Sequence, residues 1–211
     1  MNGIERLLML REENDERGEQ MRLAAPRFAQ LAKRHIEGTA PKAVTGFNLF
    51  QTPPRIAAEM ADLVRGRIHC GTRVLEPSAG LGRLYKPLED MKANWLMVEE
   101  AGECVDALVK AIKGADIRHR DFLDTTAEEL GGQFDAVVMN PPFKQGRDVK
   151  HILHALGMVK PGGRLVSLCY NGTKQREALK PIASEWRELP ENSFREEGTV
   201  ASVALLVIDK E

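Results

Sequence analysis

From residue 72 onward, apolar positions fall into short runs divided by segments of helical spacing. Ala136-Val137-Val138-Met139 is an unbroken apolar run, the pattern of a strand covered on both faces. Similar runs at 74–76, Trp95–Val98, Ala115–Arg118, Arg164–Cys169, Trp186–Leu189 and Val200–Ile208 read as further strands. Helical patterns lie between them, with Val105, Leu108, Val109 and Ile112 on one and Val149, Ile152, Leu153, Leu156 and Met158 on another. A third covers Lys174 to Ser184, and the glycine-containing turn after Glu76 should open a fourth. Ahead of these, Thr52 is placed to cap a helix starting at Pro53-Pro54 and carrying Ile56, Met60, Leu63 and Val64. The expected fold is α/β: about seven strands in a mostly parallel sheet, helices on both faces, and an antiparallel last strand forming a hairpin with the one before it.

Residues 1–45 have a different texture. Ile4, Leu7 and Leu8 suggest a short amphipathic helix, Arg11 to Gln20 is almost wholly polar, and Leu23, Phe28, Leu31 and Ile36 mark a second helix ended by Gly38 and Pro41. The reading is therefore a helical N-terminal extension over 1–45 and one α/β domain over 46–211.

Chemistry concentrates where strands end. Pro141 and Pro142 cannot continue a ladder, so Asn140 and Phe143 should stand on a stiff loop at the C-terminal edge of the sheet, where open α/β folds place their sites. In Glu76-Pro-Ser-Ala-Gly-Leu-Gly82 a strand ends in an acid and passes into small residues that let a ligand approach the backbone. The triple-glycine dinucleotide pattern is missing, as is a phosphate-loop Gly-Lys-Thr. A carboxylate there repels phosphate and suits an ammonium or hydroxyls. Glu99, at the next strand end, can accept from ribose hydroxyls, with Glu100 the competing candidate. Asp121 and Phe122 offer an acceptor and a flat ring for an adenine, although Phe122 taken alone reads as core.

Composition narrows the classes. The net charge is −1, so nucleic-acid affinity must come from local patches. Three cysteines without metal-type spacing fit a reducing compartment, and there is neither a span-length apolar run nor a signal-peptide core, so the expectation is a cytoplasmic protein without a membrane partner. His151 and His154 neighbour each other on one helix without a third ligand, and no metal is expected.

Taken together, Phe47-x-x-x-Gln51-Thr52-Pro53, Glu76-Pro-Ser-Ala-Gly-x-Gly82, Glu99 and Asn140-Pro-Pro-Phe143 resemble, in this order, the Rossmann-like S-adenosylmethionine-dependent methyltransferases, specifically the adenine-N6 DNA methyltransferases. The resemblance spans roughly residues 47–209. It implies S-adenosylmethionine as cofactor, with Phe47, Thr52 and Pro53 at its methionine end and Glu76 near its amino group. Ala79, Gly80 and Gly82 would pass it closely, Glu99 would bind its ribose, and Asp121 and Phe122 its adenine. Asn140, adjoining the cofactor as well, and the Pro141 carbonyl would accept from the target amine. Pro142 stiffens that loop and Phe143 would stack on the target base.

The resemblance implies DNA as partner, and transfer to N6 of adenine. No target-recognition segment is expected after the last strand. Lys144, Arg147, Lys150 and residues 1–45 are left to contact a backbone, unless a specificity partner or self-association through the N-terminal helices helps. The alternatives are amino-methylation of adenine or guanine in RNA, methylation of a protein glutamine, which resembles Asn-Pro-Pro-Tyr instead, and a non-catalytic scaffold.

Overall fold

The computed structural model describes residues 51–197 and 199–211. The N-terminal helices expected over 1–45, and Phe47, lie outside the described residues.

The strands are β1 (Arg73–Pro77), β2 (Asn94–Glu99), β3 (Asp116–His119), β4 (Phe134–Met139), β5 (Val159–Tyr170), β6 (Glu185–Glu188) and β7 (Val203–Asp209). They form one seven-stranded sheet in the order β3-β2-β1-β4-β5-β7-β6. β1 to β5 pair in parallel, while β7 slots between β5 and β6 and runs antiparallel to both. The order reverses between β1 and β4, the switch point that opens a crevice at the C-terminal strand ends.

Alternation along the strands divides the core. Val74, Met97, Ala136, Val138, Val166 and Leu168 face helix α1 (Pro54–Arg65), through its Ile56, Met60 and Val64, and helix α2 (Gly102–Ala111), through Leu108. Leu75, Val98, Val137, Met139, Leu165 and Cys169 face helix α3 (Arg147–Met158) and Leu179 of helix α4 (Thr173–Leu179). Both sides of the central strands are covered, which is why they read as apolar runs.

Three sequence expectations change. No regular helix follows Gly82: the chain makes turns and then a 3₁₀ segment, Lys86–Met91. Gly82 has φ +72, Pro87 lacks an N–H, and the N–H groups of Leu84 and Tyr85 go to the Glu76 carboxylate rather than up a helix. Thr52 does not cap α1; Pro53 occupies that position, and the Thr52 hydroxyl accepts from Asn140 instead. The strand expected from Arg164 already begins at Val159, with Lys160-Pro-Gly-Gly163 absorbed as a bulge, since Phe134 pairs with Val159 and Ala136 with Arg164.

One polar contact ties the helices to the sheet edge. Asp148, wholly buried at the start of α3, accepts from Val149 N at 2.9 Å, Tyr170 N at 2.9 Å and Gln175 Nε2 at 3.0 Å. Asp148→Ala leaves these donors without an acceptor. It should cost about 3 kcal/mol or more in urea denaturation; a loss within about 0.5 kcal/mol, the range of surface substitutions, would mean that the three donors are satisfied without it.

Candidate functional site

A cavity of about 400 Å³ opens at the switch point. Of the residues singled out from sequence, Thr52, Glu76, Ala79, Gly80, Glu99 and Asp121 line it. So do Phe122 and the whole loop Asn140-Pro141-Pro142-Phe143. Pro53 and Gly82 do not reach it. At Gly82 a Cβ would stand 2.6 Å from Ile112 Cδ1, so the missing side chain makes room for α2's end rather than for a ligand.

The glycine loop is gripped from β2. Ser78 N and Ala79 N both donate to the Val98 carbonyl, at 2.8 and 3.0 Å. The buried Glu99 accepts from Gly80 N at 2.7 Å through Oε2 and from Ala101 N at 2.8 Å through Oε1. Ser78 bridges strand and loop at φ +66, an unusual conformation for a residue with a Cβ. Glu99 is thus the acid at the strand end. Glu100 stays exposed on the rim, 3.6 Å from Arg147.

Glu76 is almost completely buried, and its Oε2 finds no hydrogen-bond partner among the described residues. Burial pushes its carboxyl from 4.5 up to about 8; the Leu84 N–H opposes this, the Glu99 carboxylate adds to it, and the Tyr85 N–H opposes it again. A buried acid with an unused oxygen suits a cationic or hydroxyl-bearing ligand group.

On the other side of the crevice, Asn140 Nδ2 donates to Thr52 Oγ1 at 3.1 Å, joining the end of β4 to the entry of α1. Asp121 caps Leu123 N at 2.9 Å through Oδ1 and meets Arg147 at 3.0 Å through Oδ2. Phe122 is both core and cavity wall.

His151 and Arg147 line this site too, although the sequence singled out His151 only beside His154 and Arg147 only as a contact for a nucleic-acid backbone. His151 lines the cavity, packs on Phe122 with ring centroids 5.7 Å apart, and has Nδ1 3.3 Å from Ser78 Oγ. Burial lowers its pKa to about 4, helped by Arg147 and opposed by Asp121, so the ring is neutral. His154 packs on Phe122 too and bonds the Thr125 carbonyl at 2.9 Å. Only the helical spacing of the two histidines was visible; the partner of His151 lies 73 residues away.

Glu76 gives a signed pH test. Its folded pKa lies above the unfolded 4.5, so its stabilising contribution is whole below that pH and is lost as pH rises through about 8. Glu76→Gln should remove this fall from the melting-temperature profile and be more stable than the parent above pH 8. Profiles that stay parallel would assign the titration to other groups.

The model of the family described as the methyltransferase small domain matches residues 65–194. The Caenorhabditis elegans rRNA N6-adenosine-methyltransferase is 26% identical over 150 residues, 65% of this chain and 69% of that protein. A Pyrococcus horikoshii structure described as a candidate RNA methyltransferase superposes with a TM-score of 0.60 at 21% identity, over 76% of this chain and 84% of that one. A Thermus thermophilus 16S rRNA N2 methyltransferase in complex with AdoMet and guanosine gives 0.57 at 22%, over 81% of this chain but only 45% of its own. With the family model covering more than half its length, the chain belongs to the methyltransferase small domain family.

Proposed function

We propose that the chain methylates an exocyclic purine amine in RNA, N6 of adenine in particular, with S-adenosylmethionine as donor. The observation that carries this is Asn140: it stands on the stiff Pro141-Pro142 loop, its amide is oriented by Thr52, and it lines the same cavity as two buried acids. Similarity to the rRNA N6-adenosine-methyltransferase favours RNA over the DNA that the motif resemblance implied.

The residues present fit the cofactor. The unused Glu76 Oε2 can accept from its ammonium, Glu99 can accept from its ribose hydroxyls, and Asp121 and Phe122 can border its adenine. Bound there, the cofactor supplies an electrophilic methyl group on sulfonium sulfur.

The chain's own part is to prepare the amine. An exocyclic aryl amine nucleophilises poorly because its lone pair is delocalised into the ring. The Asn140 side-chain oxygen and the Pro141 carbonyl can hold its two N–H protons, turning the nitrogen toward tetrahedral geometry and localising that pair. The same acceptors stabilise positive charge as it develops on nitrogen, so no strong base is needed. Phe143, half-buried beside them, offers a surface for the target base.

Labelled S-adenosylmethionine should deliver label to RNA, and nucleoside digestion should place it on N6-methyladenosine; label in DNA alone would overturn the RNA reading. Asn140→Ala should lower kcat by about 100-fold or more while cofactor affinity changes little. An affinity loss as large as the rate loss would move Asn140 out of its catalytic role. Glu99→Gln should weaken cofactor binding by roughly 1.5–3 kcal/mol, seen by calorimetry; an unchanged affinity would limit Glu99 to holding the glycine loop.

A further inference from the structure

Beyond Asn140, the same sheet edge carries three side chains that the proposed chemistry leaves unused. Tyr170 ends β5 and is 43% exposed, among the largest exposed rings of the described residues. Val138 is in register with Val166, and alternation puts Val166, Leu168 and Tyr170 on the α1 face. Asn140 follows β4 directly, and since Met139 pairs with Ser167, Tyr170 lies two residues further along β5 than the position level with Asn140.

Its position is built. Tyr170 N–H donates to the buried Asp148, which Gln175 also binds. The ring lies against Gly172, where a Cβ would be 2.9 Å from both Cδ1 and Cε1.

Lys174, at the start of α4, reaches across Gly146 in the loop after Phe143: a Cβ at 146 would be 2.6 Å from Nζ and 3.1 Å from Cε. Gly146 has φ +70 and follows Gln145 at φ +58, so a tight backbone turn brings the loop under the ammonium. Lys144 is exposed in the same loop. Among the described residues neither lysine forms an ion pair, whereas their neighbours Arg147 and Arg176 are paired with Asp121 and Glu188.

We propose that Tyr170, Lys144 and Lys174 form a subsite for the nucleotide flanking the methylated base in single-stranded RNA. The ring stacks on the flanking base, and the two ammonium groups meet the phosphates on either side of it. An exposed ring on a sheet edge that also carries two cations without ion pairs among the described residues matches an unstacked base on a polyanion. In a duplex, neighbouring pairs would cover both faces of that base. The assignment rests on the amine-methylation reading above, and it adds where the strand runs: from Phe143 outward past the end of β5.

The test is anisotropy of fluorescein-labelled oligoadenylate across a salt series, with label transfer measured on the same oligonucleotide. Tyr170→Ala should weaken binding about tenfold, while Tyr170→Phe, which keeps the ring, stays within about twofold of the parent. Lys174→Gln should weaken binding and reduce the logarithmic salt slope by about 0.7. Melting temperatures like the parent's exclude misfolding as the cause. Parent-like binding by Tyr170→Ala, equal losses for Ala and Phe, or tighter binding of an RNA duplex would each overturn the subsite. If the parent binds oligoadenylate but labels no RNA, the methylation reading fails, and the binding series still decides the subsite.

Discussion

The structure hangs on the carboxylate of Glu99. It is buried, forms no ion pair among the described residues, and its two oxygens accept from the N–H groups of Gly80 and Ala101. Removing a carboxylate from water is costly, and backbone donors are among the few groups that compensate it in a dry site. The same bonds fix the two loops that leave β1 and β2. With Val98 O holding Ser78 and Ala79, the end of β2 determines where the glycine loop runs. Glu76 completes the arrangement under tension, since the Glu99 charge and its own burial both disfavour its ionised form. A cationic ligand relieves that conflict and a phosphate would worsen it, so the floor selects by charge before any shape is considered.

Much of this could be read from the chain because it is local. The run Ala136–Met139 had to be a doubly covered strand, and Pro141-Pro142 had to leave the sheet. Glu99 was placed by its strand-end position, and Phe122, readable as core, is buried while it also borders the cavity. The antiparallel β7 followed from its position after β6, although its insertion between β5 and β6 did not.

What escaped the sequence depends on partners distant along the chain. Thr52 has the look of a helix cap, yet its hydroxyl is taken by Asn140, 88 residues away. The helix expected after Gly82 is displaced because Glu76 claims the N–H groups of Leu84 and Tyr85, a competition that no local propensity records. Gly82 carries the spacing of a ligand loop but answers to Ile112. His151 shows only helical spacing until Ser78 and Phe122 are brought against it.

The cavity and its surroundings differ in charge. β1 and β2 bring the buried Glu76 and Glu99 into the cavity lining, while the loops after β4 and β5 carry Lys144 and Lys174 outside that lining. Arg147 lines the cavity, 3.0 Å from Asp121 and directly after the loop that Lys174 crosses. On the proposed reading this division sorts two ligands of opposite charge. A polyanion is repelled from the acid-lined floor and drawn to the basic rim, while a cationic cofactor is drawn the other way. Asn140 lines the cavity itself, and on the same reading a base held at the rim presents its amine there to a methyl donor held at the floor. On that reading one sheet edge orients both reactants.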